Sequence, residues 1–165
     1  MDFGEAIKTC FSKYFTLSGR ARRSEYWYFY LFTILLGIAA SVVDAIIGID
    51  GEDLGLVGGL VTLATFIPTI TAQVRRLHDT GRSGWWIGIA FIVAIVFIVA
   101  IWGSFGLSSA DDIFEGTGGA LILVFILLAI VYSIAMLVFM CLDSQEGSNK
   151  YGPNPKHDTG AEIFD

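Results

Sequence analysis

Arg75-Arg76-Leu77-His78-Asp79-Thr80-Gly81-Arg82-Ser83-Gly84-Trp85-Trp86 is a polar, arginine-rich stretch with a long apolar run on either side. It reads as the short hairpin between two membrane-crossing helices, with paired tryptophans at the lipid–water boundary. Working outward, apolar blocks cover 26–47, 54–72, 85–102 and 120–142. A hydrocarbon layer of about 30 Å takes roughly 20 helical residues, and each block comes close to that length. Hydrophobic residues make up 55% of the chain and charged residues 16%, so too little polar sequence remains to coat a soluble four-helix core. The fold class expected is all-α: a polytopic membrane protein with four transmembrane helices and an N-terminal interfacial amphipathic helix. Its segments are an amphipathic helix over 1–17, a membrane domain over 18–145 and a polar tail over 146–165.

Charge placement sets the orientation. The net charge is −6, but all 10 Lys and Arg residues fall in the N-terminal arm, the central hairpin and the C-terminal tail. The other two connections carry acids alone: Asp50, Glu52 and Asp53 in one, Asp111, Asp112 and Glu115 in the other. Four spans put the basic segments on one side. The positive-inside rule makes that side cytoplasmic, with both termini there. Nucleic acid is not an expected partner, because the basic residues sit at membrane edges and form no recognition motif.

Along the chain, Phe3, Ile7, Phe11, Tyr14 and Phe15 recur at helical spacing, opposite Asp2, Glu5, Lys8, Thr9, Ser12 and Lys13. Such a helix lies in the headgroup plane or packs on the protein's own cytoplasmic side. Gly19 is expected to end it, and Ser24 to cap the first span. Asp44, near the far end of that span, is expected to snorkel to the outer headgroups. Asp53 is a candidate cap for the second span, whose Gly55 and Gly59 have close-approach spacing. Pro68 should kink that span and free the Ala64 carbonyl, with Thr65 and Thr69 nearby to satisfy it. Cys10 and Cys141 read as free thiols in a reducing compartment.

Three stretches then meet at one level: 19–27, 75–86 and 143–155. They bring Arg20, Arg22, Arg23, Arg75, Arg76 and Arg82 together with Glu25, His78, Asp79, Asp143 and Asn149. Arginine forks bind carboxylates or phosphates bidentately. Two readings stay open. The arginines pair with Glu25, Asp79 and Asp143 and lock the segments together, or some of them hold the phosphate of an anionic lipid headgroup or a protein partner. Asp143 or Asn149 is expected to bond the central hairpin. No catalytic residue, cofactor or metal site is expected. His78-Asp79 is a lone dipeptide, the histidines and cysteines are too few and scattered for zinc, and Asp143-Ser144-Gln145-Glu146-Gly147 departs from a calcium loop at its glycine. The expected role is a non-enzymatic membrane component that binds anionic lipid, a membrane-protein partner or a second copy of itself. A small transporter or channel subunit is the alternative.

Gly19-Arg20-Ala21-Arg22-Arg23-Ser24-Glu25-Tyr26-Trp27, the central string and the tail Gly147-Ser148-Asn149-Lys150-Tyr151-Gly152-Pro153-Asn154-Pro155 resemble the bacterial "domain of unknown function 805" family. The resemblance covers nearly the whole chain. It implies a small multi-span inner-membrane protein and supplies no activity.

Overall fold

The computed structural model describes residues 1–48, 55–105 and 117–156. The six acidic loop residues, with the cap expected of Asp53, and the tail beyond Lys156 lie outside them. Among the described residues five helices follow in order: α1 Phe3–Ser12, α2 Arg23–Ile46, α3 Leu56–Asp79, α4 Trp85–Phe105 and α5 Thr117–Cys141. Arg23–Ile46, Leu56–Asp79 and Ile122–Cys141 are each long and apolar enough to cross a membrane, and Trp85–Val99 is apolar but shorter. The chain is a polytopic all-α membrane protein.

The chain divides into two compact units, Met1–Gly84 with 143–156, and Trp85–Leu142. In the first, α2 packs along α3, and α1 lies on both. Asp2 starts α1 with a capping box: its side chain accepts from Glu5 N, and Glu5 answers at Asp2 N. That exchange satisfies two otherwise orphaned N–H groups. Ala6 and Cys10 are fully buried on the seam, and the Phe11 ring meets Phe29 and Phe32 edge-on. The helix stops at Ser12, well before Gly19, because Lys13 already leaves helical geometry. In the second unit, Trp86 packs on Phe139, Phe97 stacks on Phe125, and the Tyr132 hydroxyl donates to Trp86 O. Between these contacts, small residues such as Ala90, Ala94 and Ala129 leave an apolar cavity of about 380 Å³.

Several expectations are corrected. Helix α3 runs on to Asp79, so Arg75, Arg76, Leu77 and His78 lie within its last two turns and are not part of a loop. Nothing in that string breaks a helix; the break comes at Gly81, whose φ of +77° suits glycine. Ser24 does not cap α2: Arg22 occupies the N-cap and makes no side-chain bond there. Asp44 does not snorkel. It is 5% exposed, and its carboxylate accepts from Val57 N at 2.9 Å and Gly58 N at 2.8 Å. An anion at the end of α2 thus serves the positive N-terminus of α3. Gly55 is needed for this, since a Cβ there would lie 2.2 Å from Asp44 Oδ2, whereas Gly59 has nothing within 4 Å. The spacing of the two glycines therefore does not define a shared contact face.

Pro68 lies inside α3 and removes one N–H, which leaves the Ala64 carbonyl open. Tyr14, not Thr65 or Thr69, takes it: the hydroxyl donates to Ala64 O at 2.9 Å. Thr65 and Thr69 donate to Val61 O and Thr65 O of their own helix. Tyr14→Phe should therefore strand a carbonyl inside the apolar stretch and cost about 1–2 kcal/mol. Unfolding in mixed detergent micelles checks this. Tyr14→Phe in a Pro68→Ala background, where the carbonyl regains its own N–H, should cost much less.

Candidate functional site

The three polar stretches form one closed cap. Asp79, fully buried, is its hub. Its carboxylate accepts from Arg20 Nε at 2.9 Å, from Arg76 Nη1 and from Ser144 Oγ at 2.6 Å. Its backbone carbonyl accepts from Gln145 N at 2.9 Å. Arg20 then spends its remaining donors on the tail, giving Nη2 to Gln145 O at 2.6 Å and Nη1 to Gly147 O at 2.8 Å. Two buried guanidiniums thus share one carboxylate, and carbonyl dipoles supply the rest of the solvation. The Ala21 N–H donates to Arg75 O at 3.0 Å, which fastens the first stretch to α3.

His78 works by packing and hydrogen bonding. Its Nδ1 lies 3.2 Å from Gly19 O, and its ring stacks on Tyr151 at 3.7 Å. Asn149 Nδ2 donates to His78 O at 3.0 Å, while Asn149 Oδ1 holds the Tyr151 N–H. The turn through Gly152 thus lays the tail over the end of α3. Of the two tail residues expected to bond the central stretch, Asn149 does so. Asp143 is spent elsewhere, on Arg23 at 3.2 Å and on Lys156. The Lys156 ammonium and the Ser144 N–H hold the Asp143 carboxyl below the usual range.

A second buried pair lies beside the hub. Arg75 Nη2 meets Glu25 Oε1 at 3.2 Å, both side chains essentially unexposed. Arg75 Nε donates to Thr71 O at 3.3 Å, and its Nη2 lies 3.9 Å from Cys10 Sγ. At the rim, Arg22 donates to Pro155 O, Arg82 donates to Thr80 O at 3.3 Å, and the Arg23 side chain is 45% exposed. Arg20, Arg75 and Arg76 are therefore interior residues, and Arg22, Arg23 and Arg82 edge ones. Sequence reasoning missed Ser144, Gln145 and Cys10 as members of the cluster. Only the i, i+4 spacing of Ala6 and Cys10 hinted that the thiol faced inward.

Burial, reinforced by Glu25, pushes the Cys10 thiol up to about 11. The thiolate is the reactive form. In detergent at pH 7.5, a maleimide should therefore modify exposed Cys141 and spare Cys10, and should reach Cys10 only after denaturation; mass spectrometry of the peptides checks the order. Among the described residues no group of His, Cys, Asp and Glu is placed to hold a metal.

The family described as "Protein of unknown function (DUF805)" matches residues 14–153. The chain belongs to this family. The match contains the Arg20, Arg76, Asp79, Ser144 and Gln145 hub and the turn through Gly152, while Cys10, Pro155 and Lys156 fall outside it. The DUF805 chain is similar to "Inner membrane protein YhaI" of Escherichia coli (strain K12), 33% identical over 143 residues, covering 87% of this chain and 88% of that protein. It is also similar to "Inner membrane protein YhaH" of the same organism, 32% identical over 146 residues, covering 87% of this chain and 89% of that protein. No solved structure matches. The DUF805 protein described here is accordingly a multi-pass protein of the bacterial inner membrane.

Proposed function

We propose that this protein is a non-enzymatic component of the inner membrane whose arginine-rich cap faces the cytoplasm and holds anionic lipid headgroups at its rim. In this reading α2, α3, α4 and α5 all cross the membrane and both termini are cytoplasmic, as the one-sided placement of basic residues supports. The carrying observation is the charge of the cap. Its three stretches hold seven Lys and Arg residues against four Asp and Glu residues. The interior acids Glu25 and Asp79 are spent on Arg75, Arg20 and Arg76. The excess falls on edge residues within reach of phosphates. A membrane-protein partner carrying acids would meet the same surface. Transport is less well supported, because Asp44, the one ionisable residue at the far end of α2, serves as a helix cap.

Native mass spectrometry from a mild detergent tests the lipid reading. Wild type should retain phosphatidylglycerol or cardiolipin, and Arg22→Gln with Arg23→Gln should lose most of it while the fold persists. Unchanged retention in that variant counts against the rim site. Solute flux in liposomes would instead favour a transporter. An alkaline phosphatase fused after Asp165 should stay inactive; activity there overturns the orientation.

A further inference from the structure

Helix α1 presents three different faces. Ala6 and Cys10 form the seam buried on α2 and α3. Asp2, Glu5, Thr9 and Ser12 recur at helical spacing on one side of that seam, a polar flank fit for water. Phe3, Ile7 and Phe11 recur on the other side, and Phe3 and Phe11 keep more than a third of their surface exposed although their rings touch Tyr28 and Phe29. Lys8 lies on the edge where the apolar and polar flanks meet again. The apolar flank continues past the helix: Phe15 is 79% exposed and Leu17 51% exposed.

Depth decides what covers that flank. The apolar part of α3 ends at Val74, just before Arg75 of the polar cap. At 1.5 Å per residue, Thr71 lies about 6 Å and Ala64 about 16 Å below Arg75 along the helix axis. The Thr71 hydroxyl donates to Tyr14 O at 3.3 Å, and the Tyr14 hydroxyl reaches Ala64 O. The chain at Tyr14 is therefore below the cap, level with the apolar part of a span. Phe15 follows at once, so its exposed ring is at the depth of acyl chains. The lysines at positions 8 and 13 suit such a place, since their stems lie along apolar surface while their ammonium groups reach headgroup phosphates.

We propose that α1 and the segment after it form an in-plane wedge in the leaflet nearest the cap, with acyl chains against Phe11, Phe15 and Leu17, headgroup phosphates against Lys8 and Lys13, and water against Asp2, Glu5, Thr9 and Ser12. This surface is separate from the lipid site proposed at the arginine rim and stands without it. The wedge holds Tyr14 on the Ala64 carbonyl that Pro68 leaves open, so leaflet packing and the backbone bonding of α3 share one contact.

The test uses the full chain in liposomes of phosphatidylethanolamine and phosphatidylglycerol. Cys141→Ser supplies the background, with Cys10 left buried, and a nitroxide is placed at Phe15→Cys, Leu17→Cys or Thr9→Cys. Power-saturation EPR compares collisions with oxygen, concentrated in lipid, and with a nickel chelate, confined to water. At positions 15 and 17 oxygen should dominate several-fold, and at position 9 the chelate should. Chelate access at 15 and 17 equal to that at 9 overturns the wedge, because α1 then lies on the water side. Exclusion of both relaxants at 15 and 17 also overturns it, because protein then covers the flank. Labels at two positions keep the result readable if either substitution disturbs the fold.

Discussion

Asp79→Asn should destabilise the protein by about 3–5 kcal/mol, the range found when one partner of a buried ion pair is removed. The loss is large because one carboxylate serves two buried cations. Arg20 and Arg76 both lie against it, and both side chains are at most 1% exposed. Asparagine keeps the shape and loses the charge, and it turns a donor toward two guanidiniums that can only donate. The Ser144 hydroxyl loses its anionic acceptor as well, so the tail should loosen with the hub. Titration from mild detergent into dodecyl sulfate gives the unfolding free energy, and proteolysis after Leu142 reads the tail separately. Arg20→Gln should also weaken the tail, and its effect combined with Asp79→Asn should fall well short of the sum, because the two share one contact. A loss under about 1 kcal/mol for Asp79→Asn would mean that water reaches the hub.

The second large effect is expected at the opposite end of α2. Asp44→Ala removes the acceptor for two N–H groups at the start of α3 and should cost about 2–3 kcal/mol, as for bonds to a charged group in a helix-terminal setting. Gly55→Ala should produce a similar loss by another route, since its methyl would sit 2.2 Å from Asp44 Oδ2 and force the carboxylate away. The double variant should be little worse than either single one. Asp44→Asn, which can still accept, should fall between wild type and Asp44→Ala. If Gly55→Ala proved neutral while Asp44→Ala was costly, the carboxylate must have room that the structure does not give it.

The membrane class and the meeting of the three polar stretches were legible because they follow from composition and charge sorting, which need no tertiary detail. What was not legible depended on contacts distant in sequence. Arg75 to Asp79 looked like a loop because the segment is charged; burial against Glu25, Arg20 and the tail lets the helix keep it. Asp44 looked like a snorkelling residue because its acceptor role requires α3 to begin beside it. Tyr14 looked like one more ring on an amphipathic face, and nothing local ties it to a carbonyl fifty residues on. The split of the arginines into interior and edge groups was equally hidden, because all six share one residue type and similar neighbours.

The tail contacts also order events during synthesis. Arg20 leaves the ribosome well before Gln145 and Gly147, whose carbonyls complete its solvation. Both α4 and α5 must be made before those partners exist. Contacts so far apart in sequence form slowly, so the cap closes only after those helices are made, and a chain terminated before Gln145 keeps Arg20 on Asp79 without the tail carbonyls. Such a fragment would show loosened cap segments to cellular proteases.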